Sequence, residues 1–120
     1  MQSLSLSLPV KALKALADQN RLRIVMLLAQ APACVCELAF VLGLTQPAVS
    51  RHLKKLKEAG LIESEQESFW TNYRLSRKAL LKGSLVKILE RNLSGDQQIK
   101  SDRQKIKRAE RTKLCCRPKK

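Results

Sequence analysis

Four cysteines and one basic helical stretch hold most of the chemistry open to this chain. Cys34-Val35-Cys36-Glu37-Leu38 sets two thiols two residues apart, and Cys115-Cys116 is a vicinal pair near the C-terminus. Thiolates are soft donors that select soft, thiophilic ions, so Cys34, Cys36, Cys115 and Cys116 are the candidate metal ligands. The competing reading of Cys34 and Cys36 is two small buried apolar residues, a common use of free cysteine. For Cys115 and Cys116 it is two incidental exposed thiols.

The second constellation is Thr45-Gln46-Pro47-Ala48-Val49-Ser50-Arg51-His52-Leu53-Lys54-Lys55-Leu56. Thr45 is a good N-cap, and Pro47 sits in the first turn, where its missing N–H does no harm. With Val49, Leu53 and Leu56 facing inward, Pro47, Arg51, Lys54 and Glu58 point outward, flanked by Ser50 and Lys55. Gln46 lies at the N-terminal end, the end of a recognition helix that meets base edges. Gln pairs with adenine and Arg with guanine, each good pair giving roughly 1–3 kcal/mol of discrimination. Lys54, Lys55 and Lys57 suit phosphates, which position without specifying. The candidate DNA contacts are therefore Thr45, Gln46, Ser50, Arg51, His52, Lys54 and Lys55. His52, the sole histidine, lies beside the buried stripe and reads as a boundary residue bonding to backbone or phosphate. The competing reading of the whole segment is an ordinary solvated basic face.

The elements around these residues assemble a recognisable unit. Residues 10–17 repeat apolar positions at helical spacing, and Asp18 or Asn20 can cap a second helix from Arg21 to about Gln30. A short helix is expected from about Cys34 to Leu42, closed by Gly43. Gly43 then serves as the turn of a helix-turn-helix. After Gly60, two strands at 61–64 and 69–75 flank a turn at 65–68 and form a hairpin wing. Ser76 can cap a last helix to about Asn92 with Leu81, Leu85, Ile88 and Leu89 as its apolar face. The expected fold is a mainly α winged helix-turn-helix of about five helices and a two-stranded wing. So small an aliphatic domain gains by sharing a core between two subunits, so a dimer is expected.

Cysteines at i and i+2 on a regular helix point roughly 200° apart and cannot face one ion. Chelation by Cys34 and Cys36 therefore needs that first turn to unwind or stay non-helical.

Net charge constrains the partner. The chain carries 24 Lys/Arg against 10 Asp/Glu, a formal +14. Residues 1–92 hold 14 basic against 7 acidic side chains and residues 93–120 hold 10 against 3. Such an excess favours a polyanion through counterion release. A groove-reading helix makes that polyanion double-stranded DNA rather than an anionic membrane surface. No secretory h-region and no run of 18 apolar residues occurs, so the chain reads as cytoplasmic, where thiols stay reduced and favour metal or redox roles. One histidine, no Gly-rich phosphate loop and no acid/base pair leave nothing to support an enzyme, and no cofactor is required.

The expected organisation is a DNA-binding and dimerisation domain over 1–92 and a basic tail over 93–120, disordered or weakly helical, carrying Cys115 and Cys116. Ser94-Gly95-Asp96 marks the boundary. About twenty residues of flexible chain would let the tail cysteines reach roughly 25 Å, enough to supply a third thiolate.

These residues resemble the ArsR/SmtB family of metal-responsive winged-helix repressors. The resemblance rests on Leu16-Ala17-Asp18-Gln19-Asn20-Arg21-Leu22-Arg23-Ile24, the Cys34–Leu38 motif, Gln46-Pro47-Ala48-Val49-Ser50-Arg51-His52-Leu53, residues 56–61 and Tyr73-Arg74-Leu75, and covers about residues 10–90. It implies a homodimer that represses an operon until an ion binds, with As(III) or Sb(III) as inducer and Cys34 and Cys36 as ligands in the arsenic-sensing branch. Cadmium, lead, organoarsenicals or thiol oxidation are alternative signals, and a basic protein binding nucleic acid without sequence preference is the remote alternative. Two departures stand out: Ala39 occupies the position of that branch's third cysteine, and the wing, commonly basic, carries Glu63, Glu65 and Glu67. Residues 76–92 offer no histidine and only Glu90, so the carboxylate–histidine zinc site of the other branch is missing.

Overall fold

Six helices and a small antiparallel sheet make up the computed structural model, which describes residues 6–67, 70–76 and 80–112. In chain order they are α1 (Ser7–Leu16), α2 (Gln19–Leu28), β1 (Ala33–Cys34), α3 (Val35–Leu42), α4 (Gln46–Glu58), β2 (Ile62–Glu67), β3 (Trp70–Leu75), α5 (Leu80–Leu93) and α6 (Gln97–Thr112). The helix starts follow local chemistry. The Asp18 carboxylate accepts the Arg21 N–H at 3.0 Å, choosing Asp18 over Asn20 as cap of α2. Thr45 Oγ1 likewise accepts the Ala48 N–H at 3.3 Å to open α4. Gly43 ends α3 in the left-handed region at φ 69°, a conformation open to glycine at little cost.

The core is aliphatic. Ile24, Val25, Met26, Leu27 and Leu28 of α2 are buried, and Leu38, Val41, Val49, Leu53, Leu56 and Leu61 pack around them. The expected α4 stripe of Val49, Leu53 and Leu56 is therefore the buried one. On α5, Leu85, Val86 and Leu89 pack against this core while Ile88 stays exposed. The expected Ser76 cap abuts residues 77–79, outside the described residues; the Ser76 hydroxyl donates to Glu63 Oε2 at 3.2 Å.

The hairpin is present, with β2 and β3 paired from Ile62↔Leu75 to Glu67↔Trp70. A third strand joins it: Ala33 pairs with Tyr73 and Cys34 with Asn72, giving the order β1-β3-β2. Two residues are too short for any periodic signal, so β1 exists because β3 offers an unpaired edge beside the start of α3.

The tail requires a correction. Residues 97–112 form α6 and pack on α2 and α3, rather than leaving the fold at residue 93 as a disordered or weakly helical segment. Asp96 caps this helix, accepting the N–H groups of Gln98 and Ile99 at 2.8 and 3.2 Å. Ile99, Ile106 and Ala109 turn inward at helical spacing, with Asp102 among them. That buried carboxylate, set among many lysines and arginines, hides the stripe from a hydropathy reading. The random-coil reach assigned to Cys115 and Cys116 does not apply across a folded helix; both cysteines lie outside the described residues.

Candidate nucleic-acid interface and cysteine site

The outward face of α4 matches its helical wheel. Thr45, Gln46, Ser50, Arg51, Lys54 and Lys55 are all exposed and together form a polar row in which Arg51, Lys54 and Lys55 are cationic. The row continues past α4: Lys55 shares a cleft with Lys11, Lys14 and Arg21, and with the single carboxylate of Glu58, so net positive charge extends across to α1. His52 stands apart. It is half-buried, its Nδ1 3.5 Å from Arg21 Nη1, and so faces α2 rather than the outer row. Arg21 also donates to the Ala15 carbonyl at 2.6 Å, tying α1, α2 and α4 together behind the reading surface.

The wing has the opposite electrostatics. Arg74, its cation on β3, donates to Glu65 at 2.7 Å and Glu63 at 3.3 Å. The Glu65 carboxylate beside it, then Glu63, holds the Arg74 guanidinium above its ordinary pKa. Lys57 reaches from α4 to the Ser64 hydroxyl at 2.6 Å. The cation of the wing, Arg74, is thus paired with the wing's own carboxylates, and Lys57 of α4 is tied to Ser64 beside them.

Cys34 and Cys36 occupy the junction in front of α3. Cys34 is extended (φ −101°, ψ 170°) and caps the helix, while Cys36 lies in its first turn. The pair therefore straddles the helix start, and the opposed directions of an i, i+2 pair on a regular helix do not apply. Both are buried, at 1% and 9% exposure. Glu37, also buried, turns back to accept the Cys34 N–H at 3.0 Å, completing a capping box with cysteine in the usual Ser/Thr place. The Cys-x-x-Glu spacing was the sequence signal for this bond.

Both sulfurs are disulfide-bonded in the structure, against the expectation of reduced thiols. Metal ligation requires the reduced form, since the thiolate is the ligand. Among the described residues no cluster of three or more His, Cys, Asp or Glu side chains forms a ready metal site. Two buried soft donors fit a thiophilic ion and leave its third ligand to come from elsewhere. Gln46, at the start of α4, donates its side-chain amide to Cys36 Sγ at 3.2 Å. Sequence reasoning did not pair these two residues.

Comparison with known proteins bears on the whole arrangement. Residues 18–64 match the family model described as "Bacterial regulatory protein, arsR family". The arsenical resistance operon repressor of Bacillus subtilis is 40% identical over 87 residues, covering 69% of this chain and 83% of that protein. The chain belongs to the ArsR family. It is a family of regulatory proteins, not of enzymes. The arsenical resistance operon repressor of Escherichia coli is 45% identical over 74 residues, 61% of this chain; the match spans 63% of that relative's length. Among solved structures, HlyU from Vibrio cholerae is 32% identical with a TM-score of 0.67, covering 73% of this chain and 94% of that one. The homodimeric winged helix-turn-helix domain of Mb0332 from Mycobacterium bovis is 28% identical with a TM-score of 0.66, covering 78% and 91%. The fold of the ArsR-family chain is thus a winged helix-turn-helix, with α3 and α4 as the helix pair and β2–β3 as the wing.

Proposed function

We propose that this chain is a cytoplasmic, homodimeric repressor that binds operator DNA and is released when As(III) or Sb(III) binds thiolates at Cys34 and Cys36. The observation that carries this reading is the placement of two buried sulfurs at the start of α3, one of them bonded to the first residue of the reading helix. Relatives named as arsenical resistance operon repressors support it. A third thiolate from Cys115 or Cys116 would complete a trigonal set of soft donors, the role that the cysteine-less position Ala39 leaves open.

Energetics are sufficient. Swinging a two-state equilibrium from 1:99 to 99:1 takes about 5.5 kcal/mol of differential binding. Structural zinc–thiolate sites are worth roughly 10–16 kcal/mol, so partial coupling is enough. Dimerisation would cover the exposed apolar side chains of Leu6 just before α1, Leu8, Val10 and Leu13 on α1, and Ile88 of α5. The solved neighbour described as homodimeric supports that assembly. Among the described residues no helix is long and apolar enough to cross a membrane.

A second reading has its own observation. Because both sulfurs are disulfide-bonded in the structure, thiol oxidation is a competing signal for the same repressor. One titration separates them: arsenite, then zinc and cadmium, added under reducing conditions to the protein on its own upstream promoter DNA, followed by fluorescence anisotropy. Release by micromolar arsenite with little effect of zinc supports the arsenic reading. No release by any ion, with release on oxidation and reversal by reductant alone, would transfer the role to redox chemistry. Replacing both Cys115 and Cys116 by Ser weakens inducer sensitivity several-fold if either supplies the third ligand.

A further inference from the structure

Gln46 occupies two functional positions at once. It is the first residue of α4, where a reading helix meets base edges. Yet its side-chain amide is donated to Cys36 Sγ at 3.2 Å. We propose that Gln46 is the positioning residue through which the state of the Cys36 sulfur reaches the DNA, its one amide being shared between sulfur and base. The inference rests on the repressor reading above and deepens it.

The geometry makes the path short. Cys36 lies in the first turn of α3, Gln46 opens α4, and only three residues, 43–45, separate the two helices. The amide of an otherwise exposed side chain is turned back onto a sulfur that is 9% exposed. A change at that sulfur is therefore felt at the reading end of α4 across one hydrogen bond, without moving either helix.

Acceptor strength sets the direction. A thiol sulfur is a weak acceptor. An ion-bound thiolate keeps much of its negative charge, and bonds to ionised acceptors are shorter and roughly twice as strong. Ion binding therefore holds the amide on the sulfur and withholds it from an adenine edge, while the uncharged thiol releases it to the base. The coupling is reciprocal: operator DNA that takes the amide loosens the ion at Cys36 by the same factor. In the disulfide-bonded form seen here the amide already lies 3.2 Å from the sulfur, so the geometry of the bond is in place before charge on the sulfur strengthens it.

The test compares the full-length wild type with Gln46→Ala and Cys36→Ala. Operator affinity is read by anisotropy in reductant, in reductant with saturating sodium arsenite, and after diamide oxidation. In parallel, the Gln46 side-chain amide signals are followed by ¹H–¹⁵N NMR, assigned by their loss in Gln46→Ala. The expected result is a release ratio (operator affinity without arsenite over that with it) about tenfold smaller in Gln46→Ala, in the range for a hydrogen bond to a charged group. The amide signals move on arsenite binding or oxidation in wild type and stay still in Cys36→Ala. A release ratio unchanged by Gln46→Ala, or amide signals indifferent to both arsenite and diamide, overturns the proposal. The two readings fail separately. If diamide moves the amide and lowers operator affinity while arsenite does neither, the coupling stands and the arsenic reading falls. If arsenite releases wild type and Gln46→Ala equally, the arsenic reading stands and the coupling falls.

Discussion

Arg23 Nε and Nη2 donate to the two carboxylate oxygens of Asp102, each at 2.9 Å, joining residues 79 positions apart in the chain. The pair is a bidentate fork, the geometry that suits guanidinium and carboxylate best. Asp102 is 1% exposed and takes a third donor from Gln98 at 2.9 Å. The Asp102 carboxylate in turn holds the Arg23 guanidinium above its usual pKa, outweighing the cost of burial. Next to it, Arg103 donates to the Met26 carbonyl at 3.0 Å and to Glu90 at 2.6 Å, so α6 is fastened to both α2 and α5. A helix so polar in sequence stays on the core because its buried charge is answered on the facing helix.

Removing one partner of such a pair leaves the other charge buried. Asp102→Ala should therefore destabilise the protein by about 3 kcal/mol, the low end for breaking a buried ion pair. Urea unfolding followed by circular dichroism measures it, and limited proteolysis should cut first within residues 97–112. A midpoint unchanged from wild type would mean that α6 contributes little to the folded body.

Arg51 and Lys54 both face outward on α4 and should separate specificity from affinity. Arg51→Ala is expected to lose roughly 1–3 kcal/mol on the operator and relax preference at one base position. Lys54→Ala should weaken all DNA sequences about equally and reduce the salt slope by about one. Anisotropy on operator and scrambled duplexes at several salt concentrations reads both. Equal losses on both duplexes for Arg51→Ala would make it a phosphate contact.

The acidic wing repels a phosphate backbone and occupies its own arginine. Replacing Glu63 and Glu65 by Gln should release Arg74 and raise affinity for non-specific DNA several-fold, with a steeper salt dependence. If non-specific binding is unmoved, the wing sits beyond reach of the duplex.

Asp18 carries a pH dependence of stability. The Arg21 backbone N–H, opposed by desolvation and aided by the charges of Arg21 and His52, holds its carboxyl below the ordinary value of 3.8. A folded-state pKa below the unfolded one stabilises fully above the unfolded value and is lost as pH falls through the folded one. Asp18→Ala should then cost about 1 kcal/mol at neutral pH as a lost cap. The difference in urea midpoint from wild type should shrink as the pH is taken below that range. A gap constant from neutral to acid would show that the carboxylate charge is not what the cap uses.

Much of this protein was readable residue by residue, because local chemistry alone decides it. Asp18, Thr45 and Gly43 act on their own neighbours in the chain, so the ends of α2, α3 and α4 follow from a few consecutive side chains. The spacing of Val49, Leu53 and Leu56 fixes which face of α4 is buried and hence which face, Ser50, Arg51, Lys54 and Lys55, is offered outward. Cys34 and Cys36 stand out as a donor pair for the same reason. Three features were decided only by contacts between distant segments. β1 forms because Ala33 and Cys34 meet the open edge of β3, and this draws Cys34 out of the helix. α6 stays folded because Asp102, a poor core residue by type, finds Arg23 across the core. The bond from Gln46 to Cys36 exists because the Gly43 turn folds α4 back beside the start of α3. In each case the deciding partner lies outside the local window in which periodicity and capping act, and only the packed chain brings it within bonding distance.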